Sequence, residues 1–269
     1  MTAGAPIRRW ALVTGASGGI GAELARLAAA DGYHLVLVAR NADLLAALAA
    51  ELTTRHSVEV LGLTLDLARR EAANELVARL AARAIVPDLL INNAGVGLYG
   101  LHRDTGLEAE LALIDLNVVT LTRLTKRLLP EFLARGSGRI LNVASTAAFQ
   151  AGPYRAVYYA SKAYVLSYSE ALAHELKGTG VTVTALCPGP TLTGFQARAG
   201  ARRAPAILAG LVPAMSAAAV ARVGYRALLA GRRIVIPGLV NRLLVASLRL
   251  TPRRVATAVI ASIGRPRSP

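Results

Sequence analysis

Short apolar runs recur along the chain at intervals that leave room for a helix between each pair. They stand at Ala11 to Val13, Leu35 to Val38, Val58 to Leu63, Leu89 to Ile91, Ile140 to Val143, Val181 to Leu186 and Ile234 to Ile236. The runs are nearly continuous rather than alternating, the pattern of strands covered on both faces. Between them lie alanine- and leucine-rich amphipathic stretches: Glu23 to Ala30, Asn41 to Arg55, Arg69 to Arg83, Glu108 to Ala134, Tyr158 to Lys177 and Ser216 to Ala230. Alternation of strand and helix predicts an α/β fold with a doubly wound parallel sheet and ligands at the carboxyl ends of its strands. A length of 269 residues suits one large domain with a substantial core. No internal repeat or low-complexity linker interrupts it.

The first run leads through Thr14 into Gly15-Ala16-Ser17-Gly18-Gly19-Ile20-Gly21 and then a helical pattern. Strand, glycine-rich turn and helix, in that order, can lay a pyrophosphate on the unpaired amides of the helix N-terminus, where the dipole also favours an anion. The spacing of Gly15, Gly19 and Gly21 is a G-x-x-x-G-x-G variant of the usual dinucleotide fingerprint. A second constellation lies further on. Tyr158 and Lys162 are four apart in a predicted helix and so share one face, and Ser145 stands thirteen residues before the tyrosine, at the end of an apolar run. A fixed positive charge beside a phenol favours the phenolate and is expected to draw its pKa down from roughly 10. That combination suits proton transfer at a carbonyl. After the second run, Ala39-Arg40-Asn41 puts a guanidinium where an NAD site usually carries an acidic residue. A 2′-phosphate would pair with it, so NADP(H) is the expected cofactor and NAD(H) the lesser alternative.

These pieces stand in an order that resembles the classical short-chain dehydrogenase/reductases: Thr14-Gly15-x-x-x-Gly19-x-Gly21, Asp66, Asn92-Asn93-Ala94-Gly95, Asn117, Ser145, Tyr158-x-x-x-Lys162 and Pro188-Gly189-x-x-x-Thr193. The resemblance runs from Thr14 to about Pro237 and is nearest to bacterial ketoacyl and steroid reductases. It implies a single Rossmann-type domain over residues 1–237 with seven parallel strands, and hydride transfer between a nicotinamide cofactor and a carbonyl or alcohol. Carried over residue by residue, it implies that Tyr158 gives its proton to the substrate oxygen and Ser145 polarises the carbonyl. Lys162 would lower the tyrosine pKa and bind the nicotinamide ribose, with Asn117 holding a water that links Lys162 to solvent. The implied cofactor-binding set is Gly15, Ser17, Gly18, Gly19, Ile20 and Gly21 at the pyrophosphate, Arg40, Asp66 and Leu67 at the adenosine, then Asn93, Ala94 and Gly95, Tyr158 and Lys162, and Pro188, Gly189, Thr191 and Thr193 over the nicotinamide. A homodimer or homotetramer built on the helices Glu108 to Ala134 and Tyr158 to Lys177 is also implied. Asp66 has a second reading as the N-cap of the helix that follows. Tyr159, about a hundred degrees around the helix from Tyr158, is expected to pack rather than react.

Thirty-one basic residues against sixteen acidic ones give a net charge of +15. Such a balance ordinarily points to nucleic acid or an anionic membrane. Only Lys126, Lys162 and Lys177 are lysines, however, and the arginines are scattered rather than gathered in one stripe, so no nucleic-acid partner is expected. The single cysteine, Cys187, permits no disulfide within the chain and reads as a small buried apolar residue. His34, His56, His102 and His174 lack metal-ligand spacing, and no metal is expected. Met1 to Arg9 carries arginines with no apolar stretch behind them, so no signal peptide is expected and a cytoplasmic location is.

From Gly238 to Leu250 apolar residues recur on one face with arginines among them, Pro252-Arg253-Arg254 interrupts, and Val255 to Ile263 resumes. Neither run reaches the roughly 20 apolar residues of a membrane span. This extension, residues 238–269, has two readings: a helix that packs on its own domain, closes the substrate pocket or joins a subunit interface, or a basic amphipathic helix lying on an anionic bilayer. The resemblance places the pocket rim at Val96 to Leu101, Thr146 to Tyr154 and Leu192 to Pro213. Those stretches offer Leu98, Tyr99, Phe149, Tyr154, Leu192, Phe195, Ile207, Leu208 and Leu211, with Arg198, Arg202 and Arg203 read as a solvated loop. Such a lining favours an apolar ketone, aldehyde, steroid or acyl chain. The alternative to an oxidoreductase is a non-catalytic dinucleotide-binding sensor or scaffold acting through the C-terminal helix; the intact Ser145, Tyr158 and Lys162 set argues against it.

Overall fold

The computed structural model describes residues 8–195 and 212–265. Residues 1–7, most of the stretch read for a leader, and Arg198, Arg202, Arg203, Ile207, Leu208 and Leu211 lie outside the described residues. The strands are β1 (Trp10–Thr14), β2 (His34–Ala39), β3 (Val60–Thr64), β4 (Leu89–Asn92), β5 (Gly138–Val143), β6 (Val181–Leu186), β7 (Thr191–Leu192), β8 (Met215–Ser216) and β9 (Ile234–Val235). Seven of them form one parallel sheet in the order β3-β2-β1-β4-β5-β6-β9, while β7 and β8 pair separately. The chain winds outward from β1 to β3 and returns beside β1 as β4. That reversal opens a crevice at the carboxyl ends of β1 and β4, where a doubly wound sheet takes its ligand.

Helices α1 (Gly19–Ala30) and α2 (Ala42–His56) cover one face together with α7 (Ala217–Leu229), and α3 (Ala72–Ala81), α5 (Leu121–Arg135) and α6 (Ala156–Glu175) cover the other. In β1, Ala11 and Val13 enter the first layer while Trp10 and Leu12 enter the second. Both sides of β1 are therefore buried, as they are along nearly all of β2, β4, β5 and β6, which is why these strands read as unbroken apolar runs, while the edge strand β3 exposes Gly62 and Thr64.

Three predicted elements change. The expected helix from Glu108 to Ala134 is α4 (Leu107–Ile114), a π-helical turn at Asp115–Thr120, and α5. The wider turn aims two buried side chains: Asn117 at Val96, and Thr120, whose Oγ1 donates to the Leu67 carbonyl at 2.6 Å. The helix expected from Arg69 starts later, at Ala72, because Asp66 first makes its own turn: its Oδ1 accepts from Ala68 N at 3.0 Å. The third strand begins at Val60 rather than Val58, since Ser57 leaves α2 in the left-handed region (φ 54°) and pairing with β2 starts only at Leu35 and Val60. Beyond β9 the chain forms α8 (Leu239–Ser247) and α9 (Arg253–Gly264), separated at Pro252.

Candidate active site

A cleft of about 790 Å³ lies over the carboxyl ends of the central strands. Its floor begins at the glycine turn. Gly15 adopts φ +67°, and a Cβ there would stand 2.8 Å from Asn93 Nδ2; a Cβ on Gly21 would stand 2.4 Å from both Asn93 Nδ2 and the Gly15 carbonyl. These two glycines are required by protein packing, and Gly15 lines the cleft as well. Asn93 holds the turn shut, donating from Nδ2 to the carbonyls of Thr14 and Gly15 at 2.9 and 3.1 Å. Thr14 Oγ1 accepts from the amides of Asn93 and Ala94, both at 3.0 Å. The open part of the turn is at Gly18 and Gly19: Gly18 precedes α1 without a side-chain cap, and nothing lies within 4 Å of a Cβ built on it. The first amides of α1 therefore face the cleft unpaired by a cap, the arrangement an anion requires.

Arg40 stands exposed at the end of β2, lines the cleft and makes no hydrogen bond or ion pair with the described residues. Next to it, Asn41 Oδ1 accepts from Leu44 N at 2.9 Å and caps α2. Asp66 and Leu67 border the same end, with Leu67 buried. Asp66 serves its local turn and lines the cleft; it does not cap the helix that follows, whose N-cap position is held by Glu71.

At the other end, β5 delivers Ser145 and α6 delivers Tyr158 and Lys162. Ser145 Oγ accepts from Ala147 N at 3.1 Å and donates towards the Pro188 carbonyl at 3.4 Å, and it lines the cleft together with Tyr158. The Tyr158 ring packs edge-on to Tyr159 at 6.0 Å and tilted on Phe195 at 5.7 Å. Lys162 is buried; its Nζ donates to the Val143 carbonyl at 2.8 Å and stands 6.0 Å from the centre of the phenol ring. Burial dominates both groups. It pushes the Tyr158 phenol above its ordinary value, Ser145 opposing, and pulls Lys162 down to about 8. Burial thus sets the direction of both shifts, against the pull that a neighbouring ammonium exerts on a phenol.

Asn117 is buried with its side chain fully engaged. Its Oδ1 accepts from Val96 N at 2.9 Å, and its Nδ2 donates to the Val96 carbonyl and Ser161 Oγ, both at 3.0 Å. Asn92 is likewise structural, donating to Thr125 Oγ1 at 3.2 Å and Asn142 Oδ1 at 2.9 Å beneath the site. Gly95 lies between: a Cβ on it would stand 3.1 Å from Asn117 Oδ1 and 3.4 Å from Lys162 Nζ. Cys187 is buried beside these groups, with its thiol pushed up to about 12 by burial, and is no nucleophile.

A model described as short chain dehydrogenase matches residues 9–204 of this chain. The chain belongs to the short-chain dehydrogenase/reductase family of oxidoreductases. It is 39% identical over 181 residues to a putative ketoacyl reductase of Streptomyces coelicolor, covering 66% of this chain and 69% of that one. Among solved structures it is similar to a short-chain dehydrogenase from Sphingobium yanoikuyae in complex with NADPH, with TM-score 0.80 and 33% identity over 90% of this chain and 94% of that chain. It is similar too to a 7beta-hydroxysteroid dehydrogenase, with TM-score 0.84 and 28% identity over 96% and 97% of the two chains.

Within this reductase fold, Pro188, Gly189, Thr191 and Thr193 line the cleft, and Thr193 approaches Gly19 from the opposite side. Of the expected rim, Tyr99, Leu192 and Phe195 line the cleft, whereas Leu98, Phe149 and Tyr154 do not. Among the lining residues not foreseen in that role are Tyr159, Ile260 and Ile263. Tyr159 packs over Gly152, as expected of it, yet also borders the cleft. The isoleucines come from α9, which roofs the substrate end and is tied there by Tyr99 Oη donating to the Gly264 carbonyl at 2.8 Å. The C-terminal segment thus packs on its own domain and borders the cleft, which leaves its outer side open to either reading. The amphipathic spacing of Val255 to Ile263 was the only signal in the sequence, and it does not say which surface such a helix covers. Among the described residues no cluster of His, Cys, Asp or Glu is suited to a metal, and no helix is long and apolar enough to cross a membrane.

Proposed function

We propose that this chain is an NADP(H)-dependent oxidoreductase acting between nicotinamide and the carbonyl or alcohol of an apolar substrate, with Tyr158 as general acid and base. The observation that carries the reading is the convergence of Ser145, Tyr158 and buried Lys162 on one cleft. The residues present fit the dinucleotide: uncapped amides at Gly18 and Gly19 for the pyrophosphate, Arg40 for a 2′-phosphate, and Asp66 and Leu67 beside the adenine. Asn93, Ala94 and Gly95, and Pro188 to Thr193, complete its walls. The NADPH bound to the Sphingobium relative supports the same preference, with NAD(H) as a weaker alternative. When bound, such a cofactor supplies or accepts hydride.

In the reducing direction Tyr158 gives its proton to the substrate oxygen while Ser145 Oγ donates a hydrogen bond to that oxygen, so the charge developing there is met by two donors. Lys162 holds the nicotinamide ribose, and its ammonium favours the phenolate against the burial that raises the Tyr158 pKa. The main-chain carbonyl of Asn117, in a turn where carbonyls leave the regular ladder, positions the water that restores the proton. Leu192, Phe195, Ile260 and Ile263 give the substrate end its apolar character. The ketoacyl and hydroxysteroid relatives support an apolar carbonyl compound as substrate. Leu107, Leu111 and Ile114 are exposed along one side of α4, and Tyr164 on α6, which supports assembly into a dimer or tetramer through these helices.

The test is Tyr158→Phe assayed with NADPH across apolar ketones, aldehydes and steroids. Turnover should fall about 10²- to 10⁴-fold with NADPH binding unchanged. Undiminished turnover refutes the assigned acid, and NADPH binding without turnover by the wild type favours the sensor reading.

A further inference from the structure

The basic residues are scattered along the sequence but the acidic ones are not. All sixteen Asp and Glu residues stand at or before Glu175, whereas thirteen arginines and Lys177 follow it with no acidic residue among them. The net charge of +15 thus belongs almost wholly to the last third of the chain. Helices α8 and α9 lie in that acid-free third and carry its most exposed apolar surface. α8 buries only Asn241 and Val245, leaving Leu239, Leu243 and Leu244 at 67%, 62% and 48% exposure. Leu250, between the helices, is 90% exposed, and Val255 and Val259 of α9 are about half exposed. Arg242, Arg249, Arg253 and Arg254 are exposed among them.

Charge decides what can cover this face. A second copy docking through it would bring together two helix pairs that carry arginines and no acidic residue of their own, which like-charge repulsion opposes. A nucleic-acid duplex would meet the arginines but leave the leucines in water. The surface of an anionic bilayer satisfies both, with lipid phosphates for the guanidinium groups and the acyl boundary for the apolar side chains. We propose that α8 and α9 dock on the surface of an anionic lipid bilayer. The inner side of α9 lines the cleft through Ile260, Ile263 and Gly264, so one helix joins the docked face to the mouth of the site. An apolar carbonyl substrate dissolved in the bilayer then enters beside α9 without crossing water; this last clause alone rests on the oxidoreductase reading.

The experiment is sedimentation of the full chain with vesicles of phosphatidylcholine containing phosphatidylglycerol, against vesicles of phosphatidylcholine alone, with L243E/L244E and R242Q/R249Q/R253Q/R254Q in parallel. The wild type is expected to bind the anionic vesicles at least about tenfold more tightly than the neutral ones, and each variant to lose about tenfold or more on the anionic ones. The altered side chains are exposed, and an unchanged thermal midpoint shows that each variant folds. Absence of wild-type binding, or equal binding of wild type and L243E/L244E, overturns the proposal. A fall in particle mass for L243E/L244E at sedimentation equilibrium, with vesicles ignored, would assign the face to a second copy, and tighter binding to duplex DNA than to anionic vesicles would assign it to nucleic acid; either result also overturns it. Vesicle binding requires neither cofactor nor substrate, so its failure is separate from failure of the assigned reaction.

Discussion

Replacing Lys162 with methionine should stabilise the folded protein at neutral pH while abolishing its turnover. Lys162 is 5% exposed, and burial pulls its pKa from the ordinary 10.5 to about 8. The unfolded chain therefore binds the proton more tightly than the folded one. The resulting penalty on the folded state is fully present below pH 8, shrinks as the pH rises, and disappears above about 10.5. Its size at neutral pH is about 3 kcal/mol. Methionine matches the length of the lysine stem without a charge, but leaves the Val143 carbonyl without the donor now 2.8 Å away; that loss costs about 1 kcal/mol. Lys162→Met should accordingly be more stable than the wild type by about 2 kcal/mol at pH 7 and less stable by about 1 kcal/mol near pH 11. Urea unfolding of both proteins at several pH values between these limits measures the difference, in which the titration of all other groups cancels. A difference that stays constant with pH would refute the reasoning, because only a depressed lysine pKa makes it change sign.

Three further substitutions probe the cleft from its two ends. Arg40→Asp exchanges the exposed guanidinium at the end of β2 for a carboxylate that accepts from ribose hydroxyls. The ratio of NADPH to NADH affinity should fall about 10- to 100-fold with no change in melting temperature, and an unaltered ratio in fluorescence titration would sink Arg40 as selector. Gly189→Ala places a methyl group 2.2 Å from Asn241 Oδ1, so α8 must lift from the loop; a destabilisation of about 1–3 kcal/mol is expected in urea unfolding, and wild-type stability would show that α8 does not press there. Tyr99→Phe removes the hydrogen bond to the Gly264 carbonyl. Faster proteolysis within α9 and a raised KM for bulky ketones should follow, with NADPH affinity unchanged; equal cleavage rates would mean that this bond does not hold the roof.

Much of the site is written in spacings. Tyr158 and Lys162 meet because they are one helical turn apart, and the amides of α1 open to the cleft because Gly18 and Gly19, in the turn after a buried strand, offer no capping side chain. Most of the strands were legible as apolar runs because both their faces are covered. Such features depend on residues close in sequence, where backbone geometry fixes the distance. Other features depend on what a group meets from far away. The phenol of Tyr158 was expected to be drawn down by its lysine, but the surrounding core removes both from water and burial sets the direction for each. Gly15 and Gly21 look like ligand glycines in the sequence, and Asn93, more than seventy positions on, also occupies the space beside them. Asn117 sits in a turn whose π geometry exists to reach Val96 and Ser161. The amphipathic pattern of α9 foretold a helix with one apolar side but not that Ile260 and Ile263 would roof the cleft. Periodicity determines which side of a helix is apolar; only the tertiary structure decides which surface that side covers, because the partners are brought there by strands and loops distant in the chain.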